Sequence, residues 1–422
     1  MFALIDCNSF FCSVEKVFHP GLNGKPVVVL SSNDGCIVAL TPEAKAVGLH
    51  RGDPIFKCRG IVEKHKVNVF SSNMMLYAAM SRRVKSIIRG SVERVEDYSI
   101  DESFCDLRGY GEHQDLTQMM RELRERILLW TDIPVSIGVA PTRTLAKMGS
   151  KFAKQYPGYR GVCLIDTDAK REKALALFDL SDIWGIGRRT LASLNALGVR
   201  TPLEFAQRSE EWVTRHFPKP VIQTWMELNG TPCIGTPEPE AKKTICTSRS
   251  FGEMTGELRQ LRSGISTFAA GSANKLRSQK SMARTITVFI QSNPFREDLQ
   301  QYGNSASISL PHGTSDTIEI TEAALAALES IYRPGVMYKR AGVILSDIEQ
   351  CDEVSGDLFD PVAGRQERSE LMELMDNLNC RYGLKTLQLA VQGEKSEPWM
   401  VKSAQRSPNY LTDIRELLTV KA

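Results

Sequence analysis

Apolar residues open the chain in two short blocks, Phe2 to Asp6 and Pro26 to Leu30, each of strand rather than helix length. Ser31-Ser32-Asn33-Asp34-Gly35 separates the second block from Cys36-Ile37-Val38-Ala39, and so polar a break predicts a hairpin-like return. Thr41-Pro42-Glu43 then carries the marks of a helix start, with Thr as N-cap, Pro at the first helical position and an acid in the first turn. Gly48 ends that helix, so Lys45 falls on a short helix directly after a strand. Between Asn73 and Gly90 the residues Leu76, Met80, Val84 and Ile87 recur at helical spacing. Leu116 to Trp130 predicts another amphipathic helix, and Val135 to Ala140 another strand. Thr142 caps a helix with Lys147, Lys151 and Lys154 on one face, a stripe that by itself reads as an ordinary solvated surface.

The polar residues that break this pattern carry the chemistry. Val92 to Leu107 reads as two strands joined through Tyr98-Ser99-Ile100-Asp101-Glu102-Ser103-Phe104. In a regular strand Asp101 and Glu102 would point to opposite faces. Both can reach one point only at a turn or bulge, which places the pair at a hairpin end. Asp6, closing the first apolar block, is the third acid. Carboxylates brought together repel, and cations relieve that repulsion. Oxygen-only ligands favour hard ions such as Mg²⁺, whose usual service is phosphate chemistry. Strands, crossing helices and acids at strand ends make this region an α+β, palm-like unit.

Further along, Asp179-Leu180-Ser181-Asp182 precedes Trp184-Gly185-Ile186-Gly187-Arg188-Arg189, and a helix follows to Gly198. A helix, a Gly-x-Gly turn and a second helix form a helix-hairpin-helix, whose exposed N–H groups hold phosphate without reading bases. Gly230 to Lys242, with three prolines, is a linker. Lys243 to Ile348 alternates strands and helices as a four-stranded, two-helix, βαββαβ-like domain. Net charge is only +3, but Thr142 to Lys219 carries 14 basic against 8 acidic residues, and Lys242 to Arg296 carries 10 against 2. Residues 350–422 reverse the sign, with 9 against 12, so a polyanion partner is expected for the middle of the chain alone. The ten cysteines are scattered without zinc spacing and read as reduced thiols of a cytosolic protein. No run approaches membrane-span length, and Met1 to Asp6 reads as a strand rather than a basic leader.

Taken together, Ile5-Asp6-Cys7-Asn8-Ser9-Phe10-Phe11, Ser32-Asn33-Asp34-Gly35-Cys36, Pro42-Glu43-Ala44-Lys45, Tyr98 to Glu102, Leu145-Ala146-Lys147 and Trp184 to Arg189 resemble the Y-family translesion DNA polymerases. Tyr302-Gly303-Asn304-Ser305-Ala306-Ser307, Leu371 to Asp376 and Ser407-Pro408-Asn409-Tyr410 extend the likeness to the catalytic subunit of bacterial polymerase V, the UmuC-like type. The resemblance implies an α+β multidomain right hand. Its palm would span 1–165 with a small fingers insertion at about 31–66, and its helix-hairpin-helix thumb 166–237. A βαββαβ-like little finger would take 242–348, and a partner-binding tail 350–422.

The same resemblance implies that Asp6, Asp101, Glu102 and the Cys7 carbonyl hold two Mg²⁺ ions. Phe10 and Phe11 would lie at the nucleotide, with Phe11 as a steric gate against a 2′-hydroxyl, and Lys45 and Lys154 would meet the triphosphate. Gly185, Gly187, Arg188 and Arg189 would grip DNA. Implied partners are primed DNA and deoxynucleoside triphosphate, a UmuD′-like dimer, a RecA filament, and a sliding clamp through a degenerate Asp357-Leu358-Phe359 peptide. The implied setting is cytoplasmic, SOS-induced synthesis past DNA damage. Leu371, Leu374, Met375 and Leu378 form an apolar helical stripe suited either to the chain's own body or to the accessory dimer. Two other readings are a different palm-fold phosphoryl transferase, such as a cyclase or primase, and a DNA-binding scaffold with a vestigial site.

Overall fold

In a computed structural model of the chain, which describes residues 1–110, 115–236, 240–350, 365–383, 386–393, 397 and 399–418, the first apolar block becomes β1 (Phe2–Cys7). After it come α1 (Phe10–Phe18), β2 (Val27–Leu30), β3 (Ile37–Leu40), α2 (Pro42–Ala46), α3 (Arg59–Lys64) and β4 (Asn68–Ser71). Next are α4 (Met74–Arg89), β5 (Arg94–Asp97), β6 (Glu102–Asp106), α5 (Leu116–Thr131), β7 (Val135–Ala140), α6 (Arg143–Gln155) and β8 (Val162–Leu164). The chain separates into two units, residues 1–237 with 404–422, and 238–403.

In the first unit β1 is the middle strand of a five-stranded sheet, ordered β5-β6-β1-β7-β8 and antiparallel about β1. Both faces of β1 are covered. Ala3, Ile5 and Cys7 enter the core beneath α4 and α5, while Leu4 enters the core that α6 closes. Asp6 shares the Leu4 face, which turns it toward α6. The α6 helix lies unusually close to β7, because a Cβ on Gly138 would sit 2.0 Å from the Ala146 carbonyl oxygen. Gly149 on the helix faces Gly138 at that crossing. A smaller sheet, β3-β2-β4, carries the expected antiparallel return of β3 on β2 and the α2 helix capped by Thr41.

The same unit continues through α7 (Asp168–Leu177), α8 (Arg188–Ala196), α9 (Pro202–Ala206), α10 (Glu210–His216) and α11 (Lys219–Leu228). Ahead of the Gly-x-Gly turn stands only a 3₁₀ turn, Leu180–Asp182, where a full helix was expected. Asp179 caps it and Ile183 is already extended, so three residues are all the segment accommodates. Glu227 of α11, fully buried, accepts the Thr144 N–H at 2.8 Å and so caps the start of α6.

The second unit holds β9 (Ile245–Thr255), α12 (Leu258–Ser278), β10 (Ser281–Ser292), β11 (Gly303–Thr314), α13 (Thr317–Ile331) and β12 (Tyr338–Gln350), the expected βαββαβ order. Its sheet runs β11-β10-β12-β9. Ile286, Val288 and Ile290 of β10 are buried with the side chains of both helices, while Thr285, Thr287 and Phe289 take the opposite face. The last helix, α14 (Arg365–Tyr382), belongs to this unit. It buries Met372 and pairs Arg368 with Glu319 and Asp376 with Arg277, leaving Leu371 and Leu374 exposed. Of the apolar stripe expected on this helix, Leu371 and Leu374 are exposed and Met375 and Leu378 half-buried, while the buried Met372 lies outside it. Residues 404–418 return to the first unit, where Tyr410 joins its core. Asp357-Leu358-Phe359 lies outside the described residues. Among the described residues every cysteine is free, and no helix is long and apolar enough to cross a membrane.

Candidate active site

Strand register brings the acids together. Asp6 and Glu102 are direct partners on antiparallel β1 and β6, so their side chains leave the sheet on the same face. Asp101 precedes Glu102 in the turn from β5, and the Cys7 N–H donates to the Asp101 carbonyl at 3.0 Å. The hairpin end inferred for the acidic pair is where the structure puts it. Ser99 organises this turn. Its hydroxyl donates to Asp101 Oδ1 at 2.6 Å and accepts the Asp101 and Glu102 N–H groups at 3.3 and 3.0 Å. Helix α4 clamps the same loop, Ser81 Oγ donating to the Ile100 carbonyl and Lys85 Nζ to the Ser99 carbonyl at 2.6 Å.

Helix α6 supplies the counter-charges. Lys154 Nζ lies 3.5 Å from Asp6 and Lys147 Nζ 3.0 Å from Glu102, while Lys151 pairs with Asp182. The lysine stripe is thus an acid-facing surface, contrary to the solvated face its spacing alone implied. Lys147 also stands over the Tyr98 ring, 4.3 Å from its centroid, and within 5.4 Å of that of Trp184. Burial pushes the Asp6 carboxyl up to about 6; Lys154 opposes the shift, and Glu102 and Asp101 add to it.

A cleft of about 500 Å³ is lined by Asp6, Cys7, Phe10, Phe11, Asp101, Glu102 and Lys154, together with Ser99 and Arg51. Lys45 is exposed on α2 and does not line it, whereas Arg51, in the turn after α2, does. Phe10 is buried in the core, and Phe11 stays partly open with its ring stacked on Tyr77 at 4.6 Å. Ser9 starts α1 in the left-handed region (φ 46°), and its hydroxyl holds the Leu40 carbonyl at 3.0 Å. Gly185 (φ +94°) has no room for a Cβ beside Thr224, and Gly187 caps α8, with Arg188 and Arg189 exposed in its first turn. None of these four lines the acid cleft.

The donor set fits a hard divalent cation: three carboxylates on one cleft, all oxygen, with mutual repulsion already felt at Asp6. Among the described residues, no three Asp, Glu, His or Cys side chains are gathered tightly enough to enclose an ion. The carboxylates instead turn to Lys154, Ser99 and Lys147. Sequence reasoning missed Ser99, Arg51 and Lys147 as site residues. Ser99 lay within the acidic motif and Lys147 within the lysine stripe; Arg51 carried no signal.

Comparison with known proteins agrees with this architecture. Residues 5–151 match the model of the impB/mucB/samB family, 242–358 that of its C-terminal domain, and 369–420 a domain of unknown function. The chain is 42% identical to Protein UmuC of Salmonella typhimurium, over 100% of both chains. It is 38% identical to Protein ImpB of Salmonella typhimurium, over 99% of each, and 28% identical to a DNA polymerase IV of Moorella thermoacetica, over 92% of this chain and 95% of that one. Among solved structures, a Y-family DNA polymerase chimera matches with a TM-score of 0.64 at 23% identity, covering 83% of this chain and 100% of its own. An insertion ternary complex of Dbh DNA polymerase matches with a TM-score of 0.54 at 22% identity, over the same shares. Fold and relatives define a Y-family, DNA-directed DNA polymerase. Within that class the chain belongs to the impB/mucB/samB family, and it is UmuC-like.

Proposed function

We propose that the chain performs error-prone translesion synthesis in the SOS response, joining a deoxynucleoside triphosphate to a primer 3′-hydroxyl with two Mg²⁺ ions. The observation that carries this reading is the register pairing of Asp6 with Glu102, which puts two carboxylates and the Asp101 turn on one cleft beside Lys154. Asp6, Asp101, Glu102 and the Cys7 carbonyl are the groups that would hold the ions. When bound, such ions lower the pKa of the attacking hydroxyl and neutralise the phosphates.

The remaining work falls to the chain's own residues. Lys154 meets the triphosphate on entry, trading Asp6 for a stronger anion. Arg51, which lines the cleft as Lys45 does not, offers a bidentate grip from the fingers, and Lys45 adds its charge from outside the cleft. Phe11 closes the sugar side of the cleft and excludes a 2′-hydroxyl, with Phe10 as its buried support. Ser99 keeps Asp101 and Glu102 aimed at the reacting end. Gly185, Gly187, Arg188 and Arg189 hold duplex phosphates without reading sequence, and the basic stretch from Lys242 to Arg296 adds salt-dependent backbone contacts. The setting is cytoplasmic, at the nucleoid. The partners in this reading are a UmuD′-like dimer, a RecA filament and, through Asp357-Leu358-Phe359, a sliding clamp.

The test is extension of a primed template across an abasic site with Mg²⁺ and deoxynucleotides, with the accessory proteins supplied. Product that vanishes with Asp101→Ala supports the reading. No product from the parent chain, or product that survives Asp101→Ala, refutes it.

A further inference from the structure

The segment from Gln405 to Tyr410 lies in the region whose family match is to a domain of unknown function, and it is tied into the first unit at several points. The Ser71 N–H donates to the Gln405 carbonyl at 3.0 Å, and the Gln405 N–H returns to Ser71 Oγ at 2.9 Å. Asn73, the N-cap of α4, donates from Nδ2 to the Ser407 carbonyl at 2.8 Å and to the Pro408 carbonyl at 3.3 Å. Tyr410 stacks on Phe18 of α1 with centroids 4.8 Å apart. His19 Nδ1 donates to the Glu15 carbonyl at 2.9 Å, and its Nε2 lies 3.3 Å from the Tyr410 hydroxyl.

The centre of this contact is Glu15, which has no exposed surface. One carboxylate oxygen accepts two hydroxyls, from Tyr77 at 2.6 Å and from Ser407 at 3.0 Å. Tyr77, also fully buried, presents its ring to Phe11 at 4.6 Å and 15° between planes. A continuous chain of contacts therefore runs from the C-terminal segment to the ring that faces the nucleotide cleft. A carboxylate buried in an apolar core depends on its few donors, so without Ser407 the Glu15 carboxylate is held by Tyr77 alone and is free to shift. Tyr77, bonded to it, would shift with it, and Phe11 would lose a fixed backing.

We propose that Gln405–Tyr410 is a positioning strap for the sugar gate, in which Ser407, acting through Glu15 and Tyr77, fixes the ring on which Phe11 rests. The C-terminal segment then sets the discrimination between deoxyribo- and ribonucleoside triphosphates. This rests on Phe11 being the gate. Selectivity is steep in the gate's position, since displacement by even a fraction of a hydroxyl's width admits the competing sugar.

The experiment uses the full chain in primer extension, with kcat/KM measured separately for a deoxynucleotide and the matching ribonucleotide. Ser407→Ala is expected to lower their ratio by about tenfold, the weight of one hydrogen bond to a buried charged group. Ser407→Thr, which keeps the hydroxyl, should restore it. Tyr77→Phe keeps the stacked ring but cuts its anchor, and should lower the ratio in the same way; it carries the test if Ser407→Ala does not fold. In a Phe11→Ala background Ser407→Ala should change the ratio no further, because no gate remains to position. An equal fall in kcat/KM for both sugars, with the ratio held, would mean that the strap is merely structural and overturn the proposal. So would an unchanged ratio in Ser407→Ala when Phe11→Ala lowers it. If Phe11→Ala itself leaves sugar selectivity intact, the gate assignment has failed and the strap falls with it.

Discussion

Gly138→Ala tests how the catalytic face is built. The added Cβ would stand 2.0 Å from the Ala146 carbonyl oxygen and 2.1 Å from the Ser150 nitrogen, against an ordinary contact of 3.4 Å or more. Both obstacles are backbone of α6, so no side-chain rotation relieves them. The helix must lift from β7 by more than about 1 Å. Overpacking of this kind costs about 1–3 kcal/mol, and a backbone clash belongs at the upper end. At about 2–4 °C per kcal/mol for a unit of this size, the melting temperature should fall by roughly 6–12 °C. The same lift carries Lys154 and Lys147 away from Asp6 and Glu102, now 3.5 and 3.0 Å distant. Misplacement on that scale should reduce primer-extension kcat by about tenfold or more at a temperature where the variant is still folded. Gly60→Ala is the control. It lies in α3 with nothing within 4 Å, and should stabilise by up to about 1 kcal/mol without touching activity. Circular dichroism melts and steady-state extension read both effects. A Gly138→Ala protein that melts within about 1 °C of the parent and extends primers equally well would refute the close-packing argument.

Ser99→Ala removes the hydroxyl that bonds Asp101 and receives two backbone N–H groups. It should lower kcat by about tenfold with little change in melting temperature, and an unchanged kcat would show that the turn aims the acids without it. Glu15→Gln probes the buried carboxylate. Burial raises the Glu15 pKa above its ordinary 4.5, against the opposing hydrogen bonds from Tyr77 and Ser407 and the nearby His19. The folded protein therefore holds that proton more tightly than the unfolded chain does. Its contribution to stability is complete below pH 4.5 and is lost as pH rises through the elevated folded value. The glutamine oxygen can still accept both hydroxyls and never ionises. The melting temperature of Glu15→Gln should accordingly gain on the parent as pH rises from 4.5 toward neutrality, and a constant difference over that range would count against a desolvated charge.

How much of this was readable in the chain depends on the range of each interaction. Strand and helix periods are local, so β1, β7, α4, α5 and the hairpin end holding Asp101 and Glu102 lie where spacing and caps put them. The lysines of α6 show the limit. A spacing of i, i+4, i+7 says that three side chains share a face, but what that face meets is decided by Gly138 against Gly149 at a crossing no local pattern reports. On α14 apolar counting chose Leu371, Leu374, Met375 and Leu378, whereas the face turned to the domain is Arg368, Met372 and Asp376, a mixed stripe held by ion pairs. An apolar moment is blind to such a face, because Arg and Asp count there as solvent residues. Arg51 lines the cleft and Lys45 does not for a related reason: the turn after α2, not the helix itself, borders it. Ser407 is the extreme case, 392 positions from the carboxylate it bonds. In the sequence Ser407-Pro408-Asn409-Tyr410 carried only a family likeness, and only the closed fold gives the hydroxyl a charged partner. A polar residue that looks idle in a terminal segment can therefore still bear on the geometry of a distant site, provided the group between them is buried and has few other donors.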